Sequence, residues 1–356
     1  VAAPRFPIRL LALDLDGTLV GEDLTLRPRT REAILGALRR GVHVALATGR
    51  MATSAQPFAA DLGLRDPIIA YQGALVREMP ADGRRLGRLL YHHPLPAAVA
   101  RETVAWTRAR GFAPHLNHLE RFIIPAGDPR TDDYSTFLGA RAEIVPDLER
   151  WIRHPVSKVL AVGEIGAPLT LLAAARDHFA GRAEVTVSHP EFLEFLAPGV
   201  SKGRAVRWLA RRLGIPLDQT LAAGDQFNDL EMIAAAGHGV AMPSSPPGVQ
   251  AVARYVAPSV EEEGTAQVIE ALVLAGRSAA RNVELLLPGG VAGGAAAASG
   301  AAGAGGAAGA GSAVEAGSAP EAGPAAGAGP AAGAGPAAGA GLEGLGSGRG
   351  SRRPRS

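Results

Sequence analysis

Residues Ile8 to Leu15 form an apolar run interrupted only by Arg9 and Asp14, and Gly17 closes it with a turn. A run of that length and character reads as a buried strand. It carries Asp14 and Asp16 to its carboxyl end, inside the segment Asp14-Leu15-Asp16-Gly17-Thr18. In an open parallel sheet, ligands bind outside that end, at the point where strand order reverses. Two carboxylates so placed repel each other unless a positive charge sits between them. A hard cation such as Mg²⁺ meets that need, because it accepts one or two carboxylates and keeps sites for water and phosphate oxygens.

The segments that follow repeat the strand and helix alternation. Thr30 to Arg40 has Ile34, Leu35 and Leu38 on one helical face, with Gly41 behind it. Val42 to Ala47 is the next strand and ends on Thr48-Gly49-Arg50; Ser54 to Leu62 is a helix, and Pro67 to Tyr71 a third strand closing on Gln72-Gly73. From Ala74 the pattern changes to a hairpin, Ala74–Glu78 and Arg88–His92, around Pro80-Ala81-Asp82-Gly83. A helix at Ala97–Arg110 and strands at Phe112–Leu116 and Arg121–Pro125 come next. Helices at Thr131–Leu138 and Pro168–Ala180 flank a strand at Val156–Val162, and Glu184–Ser188 with Phe192–Leu196 forms a last hairpin. At Lys202 the alternation returns with a helix to Leu213, a strand Thr220–Ala223 ending on Gly224-Asp225, a helix Asp229–Ala236 and a strand Gly239–Met242. The expected fold is therefore α/β, a parallel core split in sequence by an α+β insertion. Its expected divisions are 1–78 and 191–275 for the core, 79–190 for the insertion and 276–356 for a tail.

The tail has near-exact Gly-Pro-Ala-Ala-Gly-Ala units from Gly323 to Ala340, a composition without the large apolar side chains that offset ordering entropy, and disorder is expected there. Its six Arg and four Glu account for the whole net charge of +2, so nothing in the charge of the remainder suggests nucleic acid. The chain has no cysteine, which excludes disulfides and thiolate metal sites. No run has the character of a membrane span, and a soluble cytoplasmic protein is expected. Only two of the 36 basic residues are lysines, Lys158 and Lys202. A chain so biased toward arginine keeps lysine where a compact ammonium is preferred to a planar fork. Lys158, in an insertion strand, is read as structural.

Asp14/Asp16, Thr48, Lys202 and Asp225 with Asn228 and Asp229 all fall at strand ends or at the start of a helix behind one. They supply a nucleophile, a proton handler, phosphate donors and a metal shell, the parts that phosphoryl transfer needs. Asp14 is the better nucleophile, since a carboxylate can form an aspartyl-phosphate. Asp16 can protonate the leaving oxygen and later deprotonate water. Thr48, with the backbone N–H groups at Gly49, and Lys202 serve phosphate oxygens, and Asn228 is a further candidate there. Asp225 completes the metal shell, supported by Asp229 or Asn228.

Asp14-Leu15-Asp16-Gly17-Thr18, Thr48-Gly49-Arg50, Ser201-Lys202-Gly203 and Gly224-Asp225-Gln226-Phe227-Asn228-Asp229 resemble the four motifs of the haloacid dehalogenase superfamily of phosphatases. The length and position of the insertion, with Gly239-Val240-Ala241-Met242 and Glu263-Gly264-Thr265, resemble the Cof-type branch with a type IIB cap. The resemblance covers about residues 6–275. It implies a Rossmann-like core, a mobile cap that shields the reaction from water, dependence on Mg²⁺ and hydrolysis of small phosphate monoesters. By position it makes Asp14 the nucleophile, Asp16 the acid and base, and Thr48 and Lys202 phosphate ligands. Metal ligation would fall to Asp14, Asp16 through its carbonyl, and Asp225, with Asp229 beside them. Where this branch usually has Asn-Gly after the third strand, the chain has Gln72-Gly73, and the extra methylene moves the amide by about one bond length. In the cap, His115, Asn117 and Arg121 are candidate substrate contacts, as are Arg50 and Gln72 in the core. Expected substrates are a sugar phosphate, a flavin-precursor phosphate or pyridoxal phosphate. A phosphomutase of the same superfamily, or a catalytically silent binder of phosphate ligands, are the alternatives.

Overall fold

The computed structural model describes residues 6–80, 85–128 and 141–275. The expected helix at Thr131–Leu138, the centre of the turn at Pro80–Gly83 and the tail beyond 275 lie outside them. In chain order the strands are β1 (Leu10–Leu13), β2 (His43–Leu46), β3 (Ile68–Ala70), β4 (Leu75–Arg77), β5 (Leu89–His92), β6 (Ala113–His118) and β7 (Arg121–Pro125). They continue with β8 (Ala142–Val145), β9 (Lys158–Val162), β10 (Glu184–His189), β11 (Phe192–Leu196), β12 (Thr220–Gly224), β13 (His238–Ala241) and β14 (Tyr255–Val256).

The core sheet is parallel, with strand order β14-β13-β12-β1-β2. From β1 the chain runs outward to β2 and, after the insertion, returns on the other side of β1 as β12. The order thus reverses between β1 and β12, and both strands point their carboxyl ends into the same crevice. Alternation of side chains builds two apolar layers. Leu11, Leu13, Val44, Leu46 and Leu221 pack under helices Pro28–Arg39, Ala52–Asp61 and Gly264–Ile269. Leu10, Ala12, Ala45 and Ala222 meet helices Lys202–Leu213 and Leu230–Ala235 on the opposite face. Both faces are buried, which is why the strands read as nearly continuous apolar runs.

The strand expected at Pro67–Tyr71 is present as β3, but it meets the parallel sheet only through one isolated bridge, Ala47 to Ile69. Its main partner is β4, which pairs antiparallel with β5. The expected boundary at 78/79 therefore cuts a hairpin held to the core side. The boundary at 190/191 cuts another: β10 and β11 are antiparallel partners in a six-stranded sheet, β10-β11-β9-β6-β7-β8, that runs on to Leu196. The sequence break at Pro190 is the turn of that hairpin and not its end. β8, short and only partly buried, escaped the sequence pattern; it adds parallel to β7. This sheet is the cap. Leu116, Val159, Leu193 and Phe195 face helices Ala97–Arg108 and Ala167–His178, while Phe122, Leu160 and Phe192 on the other face join the apolar cluster of the core. Among the described residues no helix is long and apolar enough to cross a membrane.

At the entry to the cap, the Ser157 Oγ accepts the Leu119 N–H at 2.9 Å and lies 3.0 Å from His92 Nε2. Burial, with His118, Arg77 and His93 nearby, pushes the His92 imidazole from 6.5 down to about 4. The folded state therefore binds this proton more weakly than the unfolded chain. The stability that neutral His92 confers is complete above pH 6.5 and is lost as pH falls toward about 4. His92→Gln is expected to flatten the fall of Tm between pH 6.5 and 4.5 by the equivalent of about 1 kcal/mol, discounted for partial exposure. Parallel melting curves for wild type and variant check this, and superimposable pH dependences would refute it.

Candidate active site

Asp14 follows β1 directly, and its N–H donates to the Ala223 carbonyl of β12 at 2.9 Å, which ties the two switch-point strands together. Ser201 caps the helix Lys202–Leu213, its Oγ accepting the Arg204 N–H at 3.0 Å. Lys202, the first residue of that helix, is fully buried and aims its Nζ between two carboxylates, 2.7 Å from Asp14 Oδ1 and 2.7 Å from Asp229 Oδ1. The other Asp229 oxygen accepts the N–H groups of Asp225 and Gln226, each at 3.1 Å, so Asp229 also shapes the loop that presents Asp225. A Cβ at Gly17 would lie 2.4 Å from Asp225 Oδ2, and the residue has φ +73°; only glycine lets that turn come so close.

The electrostatics follow from burial. Asp14 is held well above the usual carboxylate range, by burial first and then by Asp229, with Lys202 opposing and Asp225 and Asp16 adding to the rise. Asp225 is pushed up to about 7 by burial and by Asp229, again against Lys202. Burial works against the Lys202 ammonium too, but Asp14 and Asp229 outweigh it and raise its pKa. Ligand oxygens of Asp14, Asp225 and Asp229 all lie within 4.8 Å of one another. Three buried carboxyl groups share one ammonium, a donor set made only of oxygen whose raised pKa values mark a shortage of positive charge. That set suits a hard divalent cation. The side chain of Asp16, whose expected metal contact is through its backbone carbonyl, is gripped bidentately by Arg50, Nε to Oδ2 at 2.8 Å and Nη2 to Oδ1 at 2.5 Å.

Thr48 is buried at the end of β2; its Oγ1 accepts the Arg50 N–H at 3.0 Å, which leaves the hydroxyl proton to donate. A Cβ at Gly49 would stand 2.4 Å from Gln72 Nε2, so the glycine admits the Gln72 amide. Gln72 itself has φ 57°, and both ends of its amide are engaged. Its Oε1 accepts from Asn228 Nδ2 at 2.8 Å and its Nε2 donates to Glu194 Oε1 of β11 at 3.1 Å. The methylene that distinguishes it from asparagine is what brings it to the cap. Asn228 lines the cavity, with its Nδ2 given to Gln72.

The cavity between core and cap contains about 620 Å³ of space, its open mouth included. Asp14, Asp16, Arg50, Gln72, Asp225 and Asn228 line it from the core, and Asn117, Lys158, Leu160, Phe192 and Glu194 from the cap. Thr48, Lys202 and Asp229 are buried behind this lining. Two cap candidates are elsewhere. His115 shares a face of β6 with Asn117 but is packed edge-on against Phe122 and paired with Asp128 at 2.7 Å. Arg121 pairs with His118 across β6 and β7, on the face away from Asn117 and Phe122, where its guanidinium binds Glu143 and lies over Trp151. The period of two in a strand explains the error.

Sequence reasoning passed over the cap contributors Lys158 and Glu194. They form a buried pair at 2.8 Å, and Lys158 Nζ also donates to the Gly49 carbonyl at 3.0 Å, tying the cap to the Thr48-Gly49-Arg50 loop. Ser188 adds a hydroxyl to Glu194 Oε1. The scarcity of lysine was the signal: both lysines of the chain are buried at this site against carboxylates.

The family model for haloacid dehalogenase-like hydrolases matches residues 11–269. An HMP-PP phosphatase of Serratia proteamaculans is 33% identical over 244 residues, 68% of this chain and 87% of the relative. A 5-amino-6-(5-phospho-D-ribitylamino)uracil phosphatase of Bacillus subtilis is 26% identical over 276 residues, 73% of this chain and 96% of the relative. Among solved structures, a haloacid dehalogenase-like hydrolase from Bacteroides thetaiotaomicron superposes with a TM-score of 0.64 at 26% identity, over 74% of this chain and 99% of its own.

Proposed function

The chain belongs to the haloacid dehalogenase-like hydrolases and is a Cof-type phosphatase, and we propose that it hydrolyses small phosphate monoesters in two steps through Asp14. In the first step an Asp14 oxygen attacks phosphorus, the bond from phosphorus to the ester oxygen breaks, and Asp16 gives that oxygen a proton. In the second, Asp16 takes a proton from water, the water oxygen attacks phosphorus, and Asp14 leaves as a carboxylate. Thr48 donates its hydroxyl proton to a phosphate oxygen. Lys202 stabilises the negative charge shared between Asp14 and the phosphoryl group. Asp14 and Asp225 would hold Mg²⁺, with Asp229 orienting the Asp225 loop. The ion would neutralise phosphate charge when bound.

The observation that carries this reading is the buried cluster of Asp14, Asp225 and Asp229 around Lys202 at the switch point of the sheet. The relatives' names point to small phosphorylated metabolites. Release of inorganic phosphate from a panel of sugar, flavin-precursor and pyridoxal phosphates is expected with Mg²⁺. With EDTA it is expected to fall by about 100-fold or more. Equal rates in EDTA would exclude the metal, and ligand binding without any release would favour a silent binder.

A further inference from the structure

The three residues that follow β3 adopt the left-handed conformation in succession, Tyr71 at φ 50°, Gln72 at φ 57° and Gly73 at φ 96°. Glycine does so freely; for a residue as bulky as tyrosine it is an outlier, and such strain persists where the surroundings over-determine it. Tyr71 and Gln72 are buried, and the turn is held from four sides. Its backbone is tied to the Thr48-Gly49-Arg50 loop, the Tyr71 N–H donating to the Arg50 carbonyl and the Gln72 N–H to the Thr48 carbonyl, each at 3.1 Å. A Cβ at Gly73 would lie 2.4 Å from the Ser201 carbonyl oxygen, so the turn presses on the residue that caps the Lys202 helix. Gln72 Oε1 accepts from Asn228, in the loop of Asp225, at 2.8 Å. The cap holds the fourth side: the Leu119 carbonyl accepts the Tyr71 hydroxyl at 2.5 Å, and Glu194 Oε1 accepts from Gln72 Nε2 at 3.1 Å.

These ties meet in the Gln72 amide. The amide is planar, so a contact that fixes its nitrogen also aims its oxygen. Glu194 on Nε2 thereby directs Oε1 at Asn228, and Nε2 fills the space that Gly49 leaves open. We propose that Gln72 is a positioning residue through which the seated cap sets the geometry of the core loops. With Glu194 in place, the amide has one orientation, and Asn228 and Gly49 have a fixed neighbour. With β11 displaced, Nε2 loses its acceptor, the amide turns about its last bond, and both loops are released. This rests on the phosphatase reading above. The effect falls on the chemical step, because a misplacement of about 1 Å near reacting atoms can cost on the order of 100-fold. Substrate affinity depends on the whole cavity and changes little. An asparagine at this position falls one methylene short of the span from Asn228 to Glu194.

The test measures kcat and KM for p-nitrophenyl phosphate, with Mg²⁺, in the wild type and in Gln72→Asn. Both are repeated in a background carrying Lys158→Met and Glu194→Met, which removes the buried pair as a unit and leaves no lone charge. Gln72→Asn is expected to lower kcat by about 10- to 100-fold with KM within about threefold. Its Tm is expected to be unchanged or higher, because asparagine accepts the left-handed backbone more readily than glutamine. In the paired background the same substitution is expected to cost less than about threefold, since the cap contact it breaks is already gone. Amide hydrogen exchange gives an independent reading: Gln72→Asn is expected to speed exchange in segments 48–50 and 225–229 by about tenfold and to leave β1 and β12 unchanged. If the paired background does not fold, the exchange result decides. A kcat within twofold of the wild type, a loss carried by KM alone, an equal loss in both backgrounds, or unchanged exchange in both segments would overturn the assignment. No phosphate release by the wild type, from p-nitrophenyl phosphate or from the panel above, would remove the phosphatase reading and this proposal with it.

Discussion

Asp14→Asn is expected to abolish phosphate release, lowering kcat by about 10⁴-fold or more, because an amide oxygen cannot form the aspartyl ester that divides the reaction. The fold should survive the change. Asparagine has nearly the same volume, burial already disfavours the charge of Asp14, and Lys202 keeps Asp229 at 2.7 Å. The decisive measurement is single-turnover phosphate release beside a melting curve: residual activity above about 1% with an unchanged Tm would sink the assignment of Asp14 as nucleophile.

Lys202→Met is expected to have the largest effect on stability. The ammonium is the group that separates Asp14 from Asp229, and all three side chains are almost fully buried. Removing one partner of a buried ionic cluster leaves charge without compensation, typically at a cost of about 3–5 kcal/mol. For a folded region of this size that is a fall in Tm on the order of 10 °C. Addition of Mg²⁺ to the variant is expected to recover part of the loss, since a divalent cation among the three carboxylates replaces the missing charge. Lys202→Arg is not expected to restore the wild type, because a planar fork does not fit where a point charge bridges two oxygens. An unchanged Tm in Lys202→Met would mean that the carboxylates are already protonated in the native state.

The core side of the site was readable because each of its parts is short in sequence and stands at the end of an apolar run. Asp14, Thr48 and Asp225 need only the rule that parallel strands present their carboxyl ends together, and Lys202 stands out as the capped first residue of the helix behind them. The cap side was not readable in the same way. Glu194 reaches Gln72 across 122 positions, and Lys158 reaches Gly49 across 109; neither pairing leaves a local pattern. Arg121 shows the complementary failure. Its charge and its nearness to Asn117 in sequence suggested the site, but strand register sends it to the other face. Gln72 was noticed as a departure and as a candidate substrate contact, but its partner could be found only once β11 lay opposite it.

Asp14 and the lysine that balances it are separated by 188 positions, and this bears on how the enzyme comes into being on the ribosome. At about 5–20 residues per second, β1 has emerged on the order of ten to forty seconds before Lys202 does. Through that interval its β12 edge has no native partner, and Asp14 has no counter-charge. The cap, by contrast, makes several of its pairings locally, between β6 and β7 and between β10 and β11. Catalytic competence is therefore a late event in synthesis: a chain released before Asp229 can hold a cap and half a sheet, but it has no assembled active site.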